Sequence, residues 1–251
     1  SGYGFDLPPG VPVIAVSRNT LGYWGDRAPR NPLFLIPNGL EPQWLARGAR
    51  PRSNEGSVVA AKRSIDVLVQ RRKSSPYVLN QLVPALKRQG LRVEVQSGWV
   101  DDLVGLFNSS SVYLYDSAEY WRGRGVSEGF GLPPLEAMAC GCVVFSSFNH
   151  ALIDTLTPGV TAHQIGCGSL RYDVQRIAEA VATPKRWQAS SEELEILMSF
   201  SSEVIMQNRW QIVLNQLQLC SEAGGMSPSV EILSSKPTWR LQLERVISEV
   251  V

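Results

Sequence analysis

Apolar residues fall along this chain in short bursts separated by polar turns. "VPVIAVS" (11–17) is one burst, and "PLFLIPNGL" (32–40) is a second that closes on Asn38-Gly39. Both predict buried strands, with Asn38-Gly39 as a turn. Residues 46–57, "ARGARPRSNEGS", are polar, basic and rich in Gly and Pro, and predict a surface loop. From residue 65 two periods alternate. "IDVLVQ" (65–70), "LRVEVQ" (91–96), "SVYLYDS" (111–117) and "CVVFSS" (142–147) are nearly continuous β-branched or aromatic runs, as buried strands are. Between and after them, "YVLNQLVPALKRQG" (77–90), "VDDLVGLFNSS" (100–110) and "SLRYDVQRIAEAVA" (169–182) carry apolar residues at helical spacing. Gly90 is a helix stop signal, and Asp101 and Asp102 suit a helix start, where the dipole favours acids. Beyond about residue 190 the pattern is helical through "SEELEILMSF", "SEVIMQNRWQIVLNQLQL" and a last segment, 238–251.

Strand and helix in alternation, with strands apolar on both faces, predict a Rossmann-like α/β unit: a parallel sheet covered by helices on both sides. The chain has 251 residues and a formal net charge of +1. That length suits one large domain or one domain with a piece of another. Near-neutral charge argues against nucleic acid or an anionic membrane as the main partner. Cys140, Cys142, Cys167 and Cys220 show neither zinc spacing nor a C-x-x-C pair, and read as buried free thiols in a reducing, cytoplasmic setting. No apolar run reaches the ~20 residues of a membrane span.

The chemistry concentrates in "GVSEGFGLPPLEAMACGCVVFSS" (125–147). Two carboxylates, Glu128 and Glu136, stand eight positions apart around a glycine-aromatic-glycine turn. In an open parallel sheet, ligands bind on loops leaving the carboxyl ends of the strands, and this segment is such a loop. Gly129 and Gly131 allow close backbone approach, and Pro133 or Pro134 can start a helix without wasting an N–H. A helix mouth behind a glycine turn favours an anion, whereas carboxylates favour hydroxyls. A ligand with phosphates at its centre and hydroxyl-bearing rings at both ends satisfies both, and a nucleotide sugar is such a ligand.

"EGFGLPPLEAMACG" resembles the E-x7-E signature of the retaining GT-B glycosyltransferases, glycosyltransferase group 1. Residues 15–17 look like the last strand of that fold's acceptor domain, and "IPNGL" (36–40) like its interdomain junction. Residues 97–117 are similar to its base-binding loop, helix and following strand. The resemblance spans roughly residues 11–220. It implies that Glu128 contacts the transferred sugar at the reacting centre, and that Gly129, Phe130 and Gly131 present backbone to the sugar and phosphates. Leu132 would cover the site, Glu136 would take the ribose hydroxyls, and Trp99 and Val100 would flank the base. The family's basic pair usually follows a glycine after the first strand. Here Gln70 replaces the glycine and Arg71, Arg72 and Lys73 are adjacent, with Arg72 and Lys73 favoured for the diphosphate. The loop "EYWRGRG" (119–125) reads as a solvated segment or lid. His150 and His163 lack metal spacing and read as structural, although 148–154 resembles a family segment near the donor. No D-x-D cluster lies on a strand-end loop, and the resemblance implies no essential metal and no cofactor beyond a UDP-, GDP- or ADP-sugar donor.

A whole acceptor domain exceeds 100 residues or so, and only about 40 precede the donor-type sequence. The expected organisation is therefore an acceptor-domain remnant at 1–40, a donor domain at 41–235 and a helix at 236–251 crossing back. The function so implied is hexosyl transfer with retention to an unspecified glycan, lipid or small-molecule acceptor, the chain alone being inactive in transfer. A nucleotide-sugar binding module without turnover, or a GT-B nucleotide-sugar epimerase, are the alternatives.

Overall fold

The computed structural model describes residues 7–51, 63–166 and 169–222. The helix expected at 238–251, Cys167 and part of the loop expected at 46–57 lie outside them. The chain divides into two compact units, one comprising 1–37 and 208–251, the other 38–207.

The first unit contains a small βαβ turn of chain. Strand β1 (Val13–Ala15) leads into helix α1 (Arg18–Arg27) and returns as β2 (Leu33–Leu35), parallel to β1 with Val13 opposite Leu33. Ser17 starts α1 by accepting from the Thr20 amide at 3.1 Å, which satisfies one of the helix's free N–H groups. The last fifteen residues of helix α10 (Glu203–Glu222), from Asn208 on, also belong to this unit.

The second unit is the expected parallel sheet. In chain order it runs α2 (Pro42–Arg47), β3 (Ile65–Gln70), α3 (Val83–Arg88), β4 (Val93–Gln96), α4 (Leu103–Asn108), β5 (Ser110–Tyr115) and α5 (Ala118–Arg122). It continues through α6 (Leu132–Ala139), β6 (Val143–Ser146), β7 (His163–Gln164), α7 (Leu170–Ala182), α8 (Pro184–Trp187) and α9 (Ser191–Phe200). The strands lie in the order β4-β3-β5-β6-β7, all parallel. After β4 the chain crosses to the other side of β3 to lay down β5. The crevice beyond the carboxyl ends of β3 and β5 is therefore the topological switch point, the place where such sheets bind ligands.

Alternation along the strands sorts side chains onto two faces. Val67, Val69, Val112, Leu114, Val143 and Phe145 join one core cluster with Val78, Leu82, Leu86 and Ile177 from the chain around α3 and from α7. Leu68 and Tyr113 point the other way, where Tyr113 meets Phe107 of α4 at 5.0 Å between ring centroids and Phe107 meets Trp44 of α2 at 5.7 Å. Both faces are covered, which explains why the strands read as unbroken apolar runs.

Three expectations change. The helix expected over 77–90 opens with a π-helical turn at Val78–Leu82 before becoming α3. Pro84 has no N–H to give the carbonyl of residue 80, and the Val83 amide reaches back to Val78 instead. Asn38-Gly39 is not a turn. Leu40 bridges in parallel to Ser202, and a Cβ on Gly39 would lie 2.6 Å from the Glu203 Cα, so the glycine serves close backbone passage. Cys140 and Cys142 are buried free thiols as expected, but Cys220 is exposed near the end of α10. No helix among the described residues is long and apolar enough to cross a membrane.

Candidate active site

Helix α6 begins at the switch point. Its N-cap, Gly131, has φ 86°, a left-handed conformation that costs a glycine nothing, and a Cβ there would come within 2.3 Å of Leu152 Cδ2. Pro133 and Pro134 occupy the first turn and carry no N–H, so the amides left at the helix mouth are those of Gly131 and Leu132. Any anion here would meet those two groups and the positive end of the helix dipole.

Glu128 lies just before this mouth and is 3% exposed. Burying a carboxylate requires partners, and three side chains provide them. Tyr115, the last residue of β5, donates its hydroxyl to Oε2 at 2.6 Å, and Trp121 of α5 donates Nε1 to the same oxygen at 2.6 Å. The Lys73 ammonium stands 3.4 Å from Oε1 and 4.8 Å from the centre of the Trp121 ring. Oε2 is thus fully engaged, while Oε1 holds one long contact and keeps acceptor capacity. Burial, followed by the Glu128 charge beside it, pushes the Tyr115 phenol far above its usual range, so this group stays a donor.

Glu136 sits one turn into α6, partly buried. Burial, then the nearby Glu41 carboxylate, push its pKa up to about 7, against a smaller lowering effect of Lys73. A carboxyl in that state gains from any ligand that supplies hydroxyl donors.

The basic triplet divides. Lys73 turns inward from a left-handed backbone (φ 69°), whereas Arg71 and Arg72 are exposed. Gln70, where a glycine was expected, accepts from the Tyr113 hydroxyl at 2.7 Å and so ties the end of β3 to β5. Phe130 is buried, and Gly129 and Leu132 flank it at the helix mouth. Trp99 is 90% exposed on the loop after β4, its Nε1 donating to Asp101 at 2.9 Å, with Val100 partly covered beside it. Glu128, Lys73 and the α6 mouth are brought together, while Trp99, Arg71 and Arg72 stand out in solvent at the rim.

Sequence reasoning missed Tyr115 and set aside Trp121. The 119–125 segment is no plain solvated loop: it folds as α5, and its tryptophan anchors Glu128. The available signal was the polar aromatic at the very end of "SVYLY", a strand end at the switch point. Asp102, by contrast, caps α4 as expected, accepting from the Gly105 amide at 3.0 Å. Among the described residues no three His, Cys, Asp or Glu side chains are grouped to hold a metal.

A concavity of about 390 Å³ lies at the β7 edge, lined by His163, Tyr172, Arg176, Glu179, Arg186 and Trp187. It contains none of the groups above. Arg176 stacks there against Phe145, Tyr172 and Trp187, an arrangement that closes the edge of the sheet by packing.

Residues 89–196 match the model of the family "Glycosyl transferases group 1". The serotype-specific mannosyltransferase WbdA of Escherichia coli is 30% identical over 108 residues, which cover 39% of this chain and 12% of that protein. The chain thus spans only a small part of the curated relatives it matches. Among solved structures, Anabaena Alr3699/HepE, in complex with UDP and glucose, superposes with a TM-score of 0.58 at 17% identity, over 81% of this chain and 63% of that one. Sucrose-phosphate synthase of Thermosynechococcus elongatus gives 0.58 at 18% identity over 83% and 59%. A glycosyltransferase of Rickettsia africae gives 0.60 at 12% identity over 83% and 64%. Residues 89–196 are thus similar to the glycosyl transferases group 1, and the chain has the α/β fold of the GT-B glycosyltransferases.

Proposed function

We propose that this chain is the donor-binding part of a retaining hexosyltransferase that takes its sugar from a nucleoside-diphosphate sugar. The observation that carries the reading is Glu128: a carboxylate held at the switch point by Lys73, Tyr115 and Trp121, directly before a helix mouth headed by a left-handed glycine. In this reading the diphosphate lies at the amides of Gly131 and Leu132. Oε1 of Glu128 accepts from a hydroxyl of the transferred sugar, Glu136 takes the ribose hydroxyls, and Trp99 and Val100 flank the base.

Bond cleavage moves negative charge onto the leaving diphosphate and positive charge onto the sugar's anomeric carbon. Lys73, the two amides and the dipole of α6 stabilise the first, and the buried carboxylate of Glu128 stabilises the second. Such preorganised groups act in a partly dry site without reorganising during the reaction. Arg71 and Arg72, both exposed, serve to attract and clamp the diphosphate on arrival. The acceptor oxygen then attacks on the face the diphosphate leaves, which retains configuration, and passes its proton to the departing diphosphate. The buried free thiols Cys140 and Cys142 suit a reducing compartment, in keeping with work in the cytoplasm.

Calorimetric titration of the chain with UDP, GDP and ADP, and with UDP-glucose, GDP-mannose and ADP-glucose, tests the reading. Binding of one nucleotide series, abolished in Glu136→Ala and weakened in Lys73→Ala, is the expected result. Indifference to all six ligands would overturn it. Binding without any nucleotide release in the presence of the full-length protein would favour a binding module.

A further inference from the structure

Among the described residues, two that are not glycine have a left-handed backbone, Lys73 at φ 69° and His150 at φ 51°. Both touch Glu128. Such strain persists only where the surroundings enforce it, and it gathers at ligand sites. The role of Lys73 is already evident from its charge, but that of His150 is not.

His150 opens the 3-10 turn His150–Asp154 that follows β6. Its Nδ1 faces the backbone N–H of Glu128 at a long 3.5 Å and the Asn149 Nδ2 at 3.1 Å. The Asn149 amide is oriented by its other end, since Oδ1 accepts from the Ser147 hydroxyl at 2.7 Å. That hydroxyl in turn accepts from the Ser117 amide at 3.2 Å. Two N–H groups therefore converge on Nδ1, which makes Nδ1 the acceptor and places the ring proton on Nε2. Nε2–H donates to no described residue, and the side chain is only half-buried. Two positions on, Leu152 fills the space above Gly131, which seats this turn against the mouth of α6.

We propose that His150 contacts the donor, its Nε2–H hydrogen-bonding an oxygen of the sugar-diphosphate portion. This rests on the donor-site reading above. The left-handed backbone brings the ring to Glu128, Asn149 fixes its tautomer, and Nε2–H is left as a donor for an oxygen of the ligand. A glycine would fit this backbone without strain but would leave that oxygen unserved.

The two ring nitrogens can be separated by substitution. His150→Asn puts a short polar group near the place of Nδ1, tolerates the left-handed backbone and lacks anything at Nε2. His150→Gln places an amide donor near Nε2. Both variants are titrated calorimetrically with UDP-glucose, GDP-mannose and ADP-glucose, alongside thermal unfolding. His150→Asn should unfold close to the unaltered chain yet bind the preferred donor about tenfold more weakly, the worth of one good hydrogen bond, while His150→Gln should recover much of the loss. Unchanged binding in His150→Asn would overturn the proposal. So would equal losses in both variants accompanied by matching drops in unfolding temperature, because that pattern belongs to a residue that only braces the loop. If the unaltered chain binds none of the three donors, the donor-site reading itself fails, and this inference with it.

Discussion

The two ends of α6 use the same parts for different ends. Each has a left-handed glycine, Gly131 at φ 86° and Gly141 at φ 71°, and each has a cation from a neighbouring segment, Lys73 or Arg63. At the C-terminal corner everything is consumed. Arg63 donates to the Cys140 carbonyl at 2.9 Å and to the Ser110 carbonyl, and Gln188 donates to the Gly141 carbonyl at 2.6 Å. Cys142 gives its thiol to the carbonyls of Phe107 and Ser110 at 3.2 Å each, and burial pushes its pKa up to about 11. At the N-terminal mouth, acceptor and donor capacity is left over on Glu128 Oε1, on Lys73 and on two amides. A left-handed glycine and a cation occur at both ends. What separates the mouth from the corner is the unspent hydrogen-bonding capacity.

The largest effect that would sharpen this contrast is on turnover. Glu128→Gln keeps the shape and can keep the Trp121 contact, so it should leave the fold intact. Nucleotide release from the donor by the full-length protein should fall by about 10²–10³, the cost of losing a preorganised electrostatic partner. A variant that turns over normally would break the comparison. Next comes the corner. Arg63→Ala strands the buried Cys140 carbonyl and leaves that of Ser110 with the Cys142 thiol alone, and should cost roughly 1–3 kcal/mol in denaturant unfolding, with donor affinity unchanged by calorimetry. A loss of binding matching the loss of stability would mean the two ends are not separate.

The third effect is in pH. The Glu136 pKa is raised in the fold, from an ordinary 4.5 to about 7. The folded state therefore holds more proton than the unfolded one between those values, and stability falls as pH rises from about 4.5 to about 7, then levels. Glu136→Gln should remove that fall and gain on the order of 1–3 kcal/mol above pH 7, measured by unfolding at pH 5 and pH 8. Donor binding should run the other way, strengthening through about pH 7 as the carboxylate becomes available to hydroxyls. The smallest effect is Trp121→Phe, which keeps the ring and removes one of two hydrogen bonds on Oε2. It should cost about 1 kcal/mol of stability and lower donor affinity severalfold, whereas a change at the C-terminal corner of similar size should not.

Much of this was legible in the residues. The four long β-branched runs became β3, β4, β5 and β6 within a residue or two, because a strand buried on both faces needs no partner in sequence to declare itself. The α6 mouth was legible as well, since Gly131 and the following prolines are local conformational demands. Pro84 and Gly39 were misread for the opposite reason. Their effects depend on a carbonyl or a backbone that only the fold brings near. The two-residue β7 carried too short a pattern to register, and Cys220 looked like a core thiol because burial depends on which side of α10 finds a neighbour.

By itself the sequence determined the layered α/β plan, the glycine-headed helix and the pair of acids eight residues apart. All of these are set by backbone freedom and by apolar periodicity along one strand of chain. Only the tertiary structure decided that Lys73 rather than Arg71 or Arg72 turns inward, that Tyr115 and Trp121 saturate one oxygen of Glu128 and leave the other, and that His150, oriented by Asn149, meets its backbone N–H. Those choices depend on distances between segments tens of residues apart, where burial makes a charge choose its partners and no local rule can name them.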